Sequence, residues 1–159
     1  MSENFFDLET SPRILFAESF SSKKKAIEAL ASVLAEQSEY GISDILEAFM
    51  NRERLGSTAI GNGIAIPHGR IDGLNEAMGV LIILENGLDL QAPDQQDVDI
   101  FFGLILPEEC CNQHLLLLKD IASVASQDEA LEMLRSEKSI ETIHQWLSKD
   151  NPQLGVVLK

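Results

Sequence analysis

The chain has 159 residues, of which 45% are hydrophobic and 24% are charged, and these values are typical of one globular domain with a core of its own. Its 12 basic and 26 acidic residues leave a formal net charge of −14, which argues against nucleic acid and anionic membrane surfaces as ligands. The charge serves solubility or steers the chain toward a basic partner protein, and the sequence leaves both interpretations open.

No apolar run approaches the length of a membrane-spanning helix, and the N-terminal Met-Ser-Glu-Asn lacks the regions of a secretory signal. The cysteines at 110 and 111 are adjacent, and neighbouring cysteines rarely pair with each other. We therefore expect a cytoplasmic protein with reduced thiols. A single domain is expected over residues 1–159, with a possible flexible tail at 150–159.

A short strand followed by a helix is predicted at the start of the chain. Residues 14–16 read Ile-Leu-Phe, which favours a strand, and the apolar residues within 5–8 are expected to dock a turn before it. The helix runs from 23 to about 37, because apolar residues recur there at helical spacing, and Ser21 or Ser22 is its N-cap.

A second helix is predicted from 44 to 54, again from apolar residues at helical spacing. Ser43 is the natural N-cap, and Gly56 suits the αL position that follows many helix ends. Arg52 lies in the last turn, where a cation stabilises the helix end. The same guanidinium could face an anion held by the residues that follow.

Two buried strands are predicted in the middle of the chain. Residues 80–84 and 98–106 are nearly continuous apolar runs of strand length. Between them, Glu-Asn-Gly at 85–87 indicates a turn, 88–90 a short edge strand, and 91–97 a polar loop.

Three helices are predicted after the second strand. They cover 112 to about 125, a segment opened by a capping-box pattern at 126–129 and ending near 135, and 139–149. Helices, then strands, then helices indicate an α/β fold, a single-domain sandwich in which helices flank a small, mixed β-sheet.

The segment between the second helix and the first buried strand is rich in glycine. Residues 55–70 read Leu-Gly-Ser-Thr-Ala-Ile-Gly-Asn-Gly-Ile-Ala-Ile-Pro-His-Gly-Arg. Glycines let successive backbone N–H groups form a concave anion site. Pro67 fixes the backbone directly before His68. The segment therefore predicts a stiffly mounted histidine beside a cradle for an anion, a combination suited to phosphate.

Nucleotide-binding interpretations of these glycines fail on spacing. Gly56 and Gly61 have the separation found in a P-loop, but Asn62-Gly63 stands where that motif has Lys followed by Ser or Thr. A dinucleotide fingerprint starting at Gly61 would need a third glycine where Ile66 stands.

Metal chemistry is not expected either. Cys110, Cys111 and His114 give a Cys-x-x-His spacing with no second ligand pair, so we predict no metal site and no cofactor. The sequence shows no Ser, His and Asp pattern that indicates a catalytic triad. His144 lies among solvent-facing positions of the last helix and receives no role.

Reversible capture of a phosphoryl group is the chemistry that best fits His68, because imidazole is nucleophilic near neutral pH. His114 is the best second histidine, since it lies at a predicted helix N-terminus. It could equally be an ordinary polar residue at a helix start. The remaining candidates offer a guanidinium, hydroxyls or loop N–H groups to the phosphoryl oxygens. They are Arg52, Ser57, Thr58, Gly61, Asn62 and Gly63.

The segment from Gly56 to Gly69 closely resembles the active-site segment of the fructose/mannitol-type (type 2) enzyme IIA domains of the bacterial phosphoenolpyruvate-dependent phosphotransferase system. The resemblance is greatest to the nitrogen-regulatory branch. It extends from about 5 to 146 and includes Ser-Lys-Lys-Lys-Ala at 22–26, Asn-Arg-Glu at 51–53 and His-Leu at 114–115.

The resemblance implies an α/β sandwich with a mixed sheet. It also implies that His68 is phosphorylated, that His114 is a second active-site histidine and that Arg52 lies near the phosphoryl group. The donor would be a small histidine-phosphorylated carrier protein, HPr/NPr-like. The acceptor would be an enzyme IIB in the sugar branch, or regulatory target proteins in the nitrogen branch.

Two departures from the family pattern are modest. Ala59 stands where glycine is more usual, and Leu116 stands where some relatives have a further histidine. No IIB or IIC domain is fused to the chain, which favours the regulatory branch. The alternatives are a sugar-branch enzyme IIA and a regulatory binding module that acts independently of phosphorylation.

Overall fold

The structure, a computed structural model, describes residues 13–109, 112–137 and 139–150, apart from the side chains at 112–114, 144, 148 and 150. The predicted N-terminal turn and the tail after 150 lie outside this part of the chain. The strands are β1 Ile14–Ala17, β2 Ala59–Gly61, β3 Ile64–Ala65, β4 His68–Ile71, β5 Met78–Leu88 and β6 Val98–Pro107. The helices are α1 Lys23–Glu36, α2 Ile42–Glu53, α3 Asn112–Val124, α4 Asp128–Ser136 and α5 Ile140–Asp150.

The strands form one mixed sheet in the order β1-β5-β6-β3-β2, and β4 also pairs with β6. β1 runs parallel to β5, β5 runs antiparallel to β6, and both β3 and β4 run parallel to β6. The predicted mixed sheet flanked by helices is confirmed.

Two apolar cores lie on opposite faces of this sheet. α1 and α2 cover one face, and α3, α4 and α5 cover the other. Successive residues of β6 alternate between them: Phe101 and Ile105 belong to the first core, and Phe102 and Leu104 to the second. This period of two explains why β5 and β6 read as continuous apolar runs, since both of their faces are buried.

The first two helices form largely as predicted. Ser22 caps α1, and its Oγ accepts a hydrogen bond from the Lys25 N–H at 3.1 Å. The predicted start of α2 is wrong. That helix begins two residues earlier, with Gly41 as its N-cap, and Ser43 lies inside the first turn. Gly56 has a φ of +147°, outside the αL region predicted for it.

The turn and edge strand predicted at 85–90 are also wrong, because β5 continues to Leu88. The Asn86 N–H donates to the Glu18 carbonyl at 2.9 Å, so this part of β5 pairs with the chain that follows β1. Gly87 lies so close to Asp97 that a Cβ would approach the Asp97 Cβ to 2.8 Å. Close backbone approach, rather than a turn, is the reason for glycine here.

The strand β6 and the helices α3 and α5 are confirmed to within about two residues. The capping box predicted at 126–129 does not form. Gln127 is the N-cap of α4 without a side-chain hydrogen bond, and the Ser126 hydroxyl donates to the Ser123 carbonyl at 2.8 Å instead. Local bonding back into the preceding turn has replaced the cap.

Candidate functional site

His68 is the first residue of β4, and the sheet register fixes the direction of its side chain. It pairs with Leu104 of β6, which belongs to the core beneath α3–α5. The next residue, Gly69, packs against Ala48 of α2 on the opposite face. Because side chains alternate along a strand, His68 lies on the α3–α5 face of the sheet.

The ring of His68 is held by the backbone just before it. Its Nδ1 lies 2.7 Å from the carbonyl oxygen of Ile66, and a carbonyl only accepts, so the hydrogen is on Nδ1. Between them, Pro67 restricts the backbone, and its carbonyl accepts from the Leu104 N–H at 3.0 Å. In the neutral ring, Nε2 therefore carries the free lone pair.

Charge and burial together favour the neutral ring. The pKa of His68 is lowered from its ordinary value, chiefly because burial removes water from the imidazolium. The hydrogen bond to Ile66 opposes this change in pKa. The positive charge of Arg52 lowers the pKa further, the negative charge of Glu53 raises it, and Arg70 lowers it. These effects therefore favour the neutral form of the His68 ring near pH 7.

The sequence analysis identified Arg52 but missed Glu53 and Arg70. Arg52 lies in the last turn of α2, and its Nη1 donates to the Gly56 carbonyl at 3.0 Å. Arg70 lies two residues after His68 on β4 and hence on the same side of the strand. A spacing of two in a predicted strand could have found Arg70. Glu53 belongs to the Asn-Arg-Glu segment that carries part of the family resemblance, but nothing in that segment indicates that its carboxylate is buried.

The two predicted hydroxyls are engaged locally. The Ser57 Oγ accepts from the Ala59 N–H at 3.1 Å. Thr58 is buried, and its hydroxyl donates to the Glu53 carboxylate. Both residues thus shape the chain between α2 and β2, and Thr58 ties that segment to the end of the helix.

Gly61 ends β2, and Asn62 and Gly63 form the connection to β3 instead of an open loop around His68. Asn62 has a φ of +57° and Gly63 a φ of +81°, the backbone of the type I′ turn that favours Asn-Gly. The glycine-rich segment is therefore largely a β-hairpin followed by a strand. The geometry of the turn explains why Asn62 and Gly63 occupy these two positions.

This turn and His68 lie beside different positions along the strand β6, so they are well separated. β3 begins opposite Ile100, whereas His68 lies opposite Leu104, four residues further along β6. At about 3.3 Å per residue, that separates them by about 13 Å. The structure therefore does not bring the Asn62-Gly63 turn to the histidine.

The turn is anchored to the helical layer instead. The Asn62 Nδ2 donates to the Ala125 carbonyl at 2.6 Å, and the Arg135 Nη2 donates to the Asn62 carbonyl at 2.5 Å. Arg135 also makes a two-point ion pair with Asp99, with both N–O distances at 2.9 Å. A Cβ on Gly63 would lie 2.3 Å from the Arg135 Nη2 and would have to displace that side chain, and the φ of +81° also favours glycine.

His114 lies in the first turn of α3, and its side chain is outside the described part of the structure. The backbone nevertheless limits where it lies. α3 follows the end of β6 at Pro107 and packs on the sheet face to which Leu104 and His68 belong. The prediction that His114 approaches His68 stays a prediction. Cys110 and Cys111 lie outside the described residues.

Within the described ranges, no group of three or more His, Cys, Asp or Glu side chains could hold a metal ion. Among the helices of those ranges, none combines the length and apolar character needed to cross a bilayer. The site at His68 is thus a histidine flanked by two arginines and a carboxylate.

Comparison with known proteins defines the class of protein to which this fold and site belong. Residues 8–150 match the family described as "Phosphoenolpyruvate-dependent sugar phosphotransferase system, EIIA 2". The chain therefore belongs to this family of phosphotransfer components.

Within that family, the similar proteins include nitrogen regulatory proteins. One from Pseudomonas aeruginosa is 38% identical over 125 residues, covering 78% of this chain and 81% of the relative. One from Bradyrhizobium diazoefficiens is 34% identical over 142 residues, covering 89% and 93%. The crystal structure of nitrogen regulatory protein IIA-Ntr from Neisseria meningitidis is 31% identical, with a TM-score of 0.78, covering 92% of this chain and 93% of that one.

Proposed function

We propose that the chain is a phosphocarrier that accepts a phosphoryl group on the Nε2 of His68 from a histidine-phosphorylated carrier protein. The observation that carries this proposal is the Nδ1–Ile66 hydrogen bond of 2.7 Å. It fixes the tautomer that leaves Nε2 free, at a half-buried position where the lowered pKa keeps the ring neutral.

The transfer is balanced without a further reactant. The Nε2 lone pair attacks the phosphorus of the donor phosphohistidine, the new Nε2–P bond forms, and the donor's N–P bond breaks. The electron pair of the broken bond returns to the donor ring. The proton stays on Nδ1, held by the Ile66 carbonyl. Such a reaction needs positioning and charge stabilisation more than further covalent chemistry.

Arg52 and Arg70 supply positive charge to the phosphoryl oxygens. Their charges already act on the His68 ring, and guanidinium groups suit phosphoryl recognition. We assign His114 as the second histidine of the site, supported by the position of the α3 N-terminus on the same sheet face. The Asn62-Gly63 turn is left out of the proposal because of its distance.

The donor in this proposal is a small HPr/NPr-like carrier of a cytoplasmic phosphoenolpyruvate-dependent system. The acceptors are regulatory targets of the nitrogen-related branch, supported by the names of the similar proteins. A sugar-branch enzyme IIA would instead pass the group to an enzyme IIB. Mixing the phosphorylated chain with enzyme IIB separates these alternatives, because only the sugar branch predicts that the phosphate moves.

Incubation with phosphoenolpyruvate, the general donor enzyme and the small carrier, followed by intact mass measurement, tests the acceptor role. We expect one acid-labile phosphate on wild type and none on His68→Ala. His144→Ala is the matched control and keeps the phosphate, whereas His114→Ala takes it up more slowly with the fold kept. A wild-type chain that stays unmodified beside a visibly charged carrier would refute the proposal.

A further inference from the structure

Glu53 is a buried carboxylate at the end of α2. Its side chain is 5% exposed, and both of its oxygens are engaged. Oε1 accepts the Thr58 hydroxyl, and Oε2 lies 2.8 Å from the Nζ of Lys23, the first residue of α1. Carboxylates are almost never this buried unless they are paired, because the loss of water is costly.

The position of this carboxylate connects it to His68. Thr58, whose hydroxyl donates to Glu53, accepts the Ile66 N–H at 3.0 Å through its carbonyl, and the Ile66 carbonyl lies 2.7 Å from the His68 Nδ1. The charge of Glu53 raises the pKa of His68, whereas Arg52 and Arg70 lower it. The carboxylate of Glu53 is itself paired with the Lys23 ammonium. The negative charge opposes the two cations that would hold a phosphoryl group.

A plain scaffold role is the competing interpretation. The contacts of Glu53 join α1, α2 and the segment before β2, and an ion pair could serve only to fasten them. Buried ion pairs of that kind are often replaceable by apolar groups without loss of stability. A fastener also predicts no opposite effects on His68 when the two partners are removed in turn, since either change loosens the same contact.

We propose that Glu53 is a positioning residue whose carboxylate, held by Thr58 and Lys23, keeps the phosphoryl group on His68 transferable. The inference rests on the phosphocarrier function proposed above. Phosphorylation of the neutral ring adds a phosphate of about −1.5 to −2 charges while the Nδ1 proton stays in place, so the site becomes more negative. Arg52 and Arg70 stabilise that state, and Glu53 raises its free energy.

A carrier must release the phosphoryl group that it accepts. Without the negative charge of Glu53, the group would be held on His68 too stably to be passed on. When a nucleophile of the acceptor, or water, attacks the phosphorus, its new bond to phosphorus forms, the Nε2–P bond breaks and the electron pair of the broken bond returns to Nε2. The site then loses negative charge beside Glu53, which favours departure. Lys23 moderates the effect because its side chain, 39% exposed, neutralises the carboxylate from the solvent side.

The first test is an NMR titration of the His68 ring in the unphosphorylated protein. Glu53→Gln keeps the oxygen that accepts from Thr58 but removes the charge, and we expect a lower His68 pKa. Lys23→Met removes the cation and leaves the carboxylate uncompensated, and we expect a higher pKa. Lys24→Met, at an exposed neighbouring position, is the matched control and leaves the pKa unchanged. Shifts in the same direction from both ion-pair variants would overturn the proposal.

The second test is the half-life of the phosphorylated protein after the donor is removed. We expect it to be about two- to tenfold longer in Glu53→Gln and shorter in Lys23→Met, the range for one partly screened charge. Half-lives equal to wild type overturn the role of Glu53 and leave the phosphocarrier function standing. A wild-type chain that takes no phosphate overturns the function itself. If Glu53→Gln does not fold, Lys23→Met alone still decides, because a fastener predicts no faster loss of phosphate.

Discussion

A single hydrogen bond decides which atom of His68 can react. The Ile66 carbonyl holds the Nδ1 hydrogen at 2.7 Å, so the ring presents Nε2 before any donor arrives. Burial and the neighbouring guanidinium groups keep the ring uncharged, and the Glu53 carboxylate limits that effect. In the proposed transfer, a ring already set in tautomer and charge would need less reorganisation.

The lowered pKa of His68 predicts how phosphoryl uptake depends on pH. An ordinary histidine is half protonated at a pH of about 6.5, whereas His68 stays mostly neutral there. We expect the intrinsic rate of uptake to hold as pH falls to 6.5 and to drop only below it. An NMR titration gives the midpoint directly, and a midpoint at or above 6.5 contradicts the prediction.

The lowered pKa of His68 also determines how the stability of the folded chain depends on pH. The unfolded chain binds the proton of His68 more readily than the folded chain, so stability is lost as pH falls through about 6.5. A His68→Gln chain lacks this loss and is the control. The difference in free energy of unfolding between the wild-type and His68→Gln chains therefore grows as pH falls.

Residue by residue, the sequence singled out His68 as the candidate histidine and Arg52 as a neighbouring cation, because a proline and glycines beside His68 are a local signal. Glu53 was missed for a physical reason. Its burial depends on Lys23, 30 positions earlier, and on the return of the chain through Thr58. Charges brought together by tertiary folding leave no periodic pattern in the sequence.

At the scale of elements, the contact of α2 with β4 places the helix-end charges beside the histidine. A Cβ on Gly69 would lie 2.6 Å from the backbone carbonyl atoms of Ala48. Gly69→Ala should therefore lower the free energy of unfolding by about 1–3 kcal/mol and slow phosphoryl uptake, because it pushes Arg52 away from His68.

The control for this substitution is Gly41→Ala, whose Cβ meets nothing closer than the Asp44 Oδ2 at 3.9 Å. Urea denaturation and the initial rate of phosphorylation measure the two effects. A Gly69→Ala chain that matches Gly41→Ala in both would show that α2 can move without disturbing the site.

Elements with strong periodicity were predicted well, and those shaped by backbone contacts were not. α1 and β6 follow from apolar spacing and continuous hydrophobicity. The extension of β5 through Asn86 depends on the Glu18 carbonyl, which no local pattern reveals. Asn62-Gly63 carries the standard signal for a hairpin turn, but its glycines were interpreted as an anion cradle.

Across the whole molecule, the two cores share one sheet. β5 and β6 contribute alternate side chains to both, so neither core can form while these strands are unpaired. The single tryptophan, Trp146, packs on the α3–α5 core, and the single tyrosine, Tyr40, packs on the other. We expect both reporters to give the same urea midpoint, as one cooperative unit does.

Tryptophan fluorescence reports the core beneath α3–α5, and a fluorine label on Tyr40 reports the core beneath α1 and α2. A Trp146→Phe chain is the control that excludes crosstalk between the two signals. Midpoints that differ beyond error would mean that the faces unfold separately, and would contradict the expectation of one domain.

Arg135 has a consequence for how long the native state lasts. Its bonds to Asp99 and to the Asn62 carbonyl span 36 and 73 residues of sequence. Contacts that close such long loops are slow to form, and we expect them to follow the rate-limiting step of folding. Interactions made after that step slow unfolding and leave the folding rate nearly unchanged. We therefore expect this link between the hairpin turn and α4 to extend the lifetime of the folded protein, at the end of the sheet remote from His68.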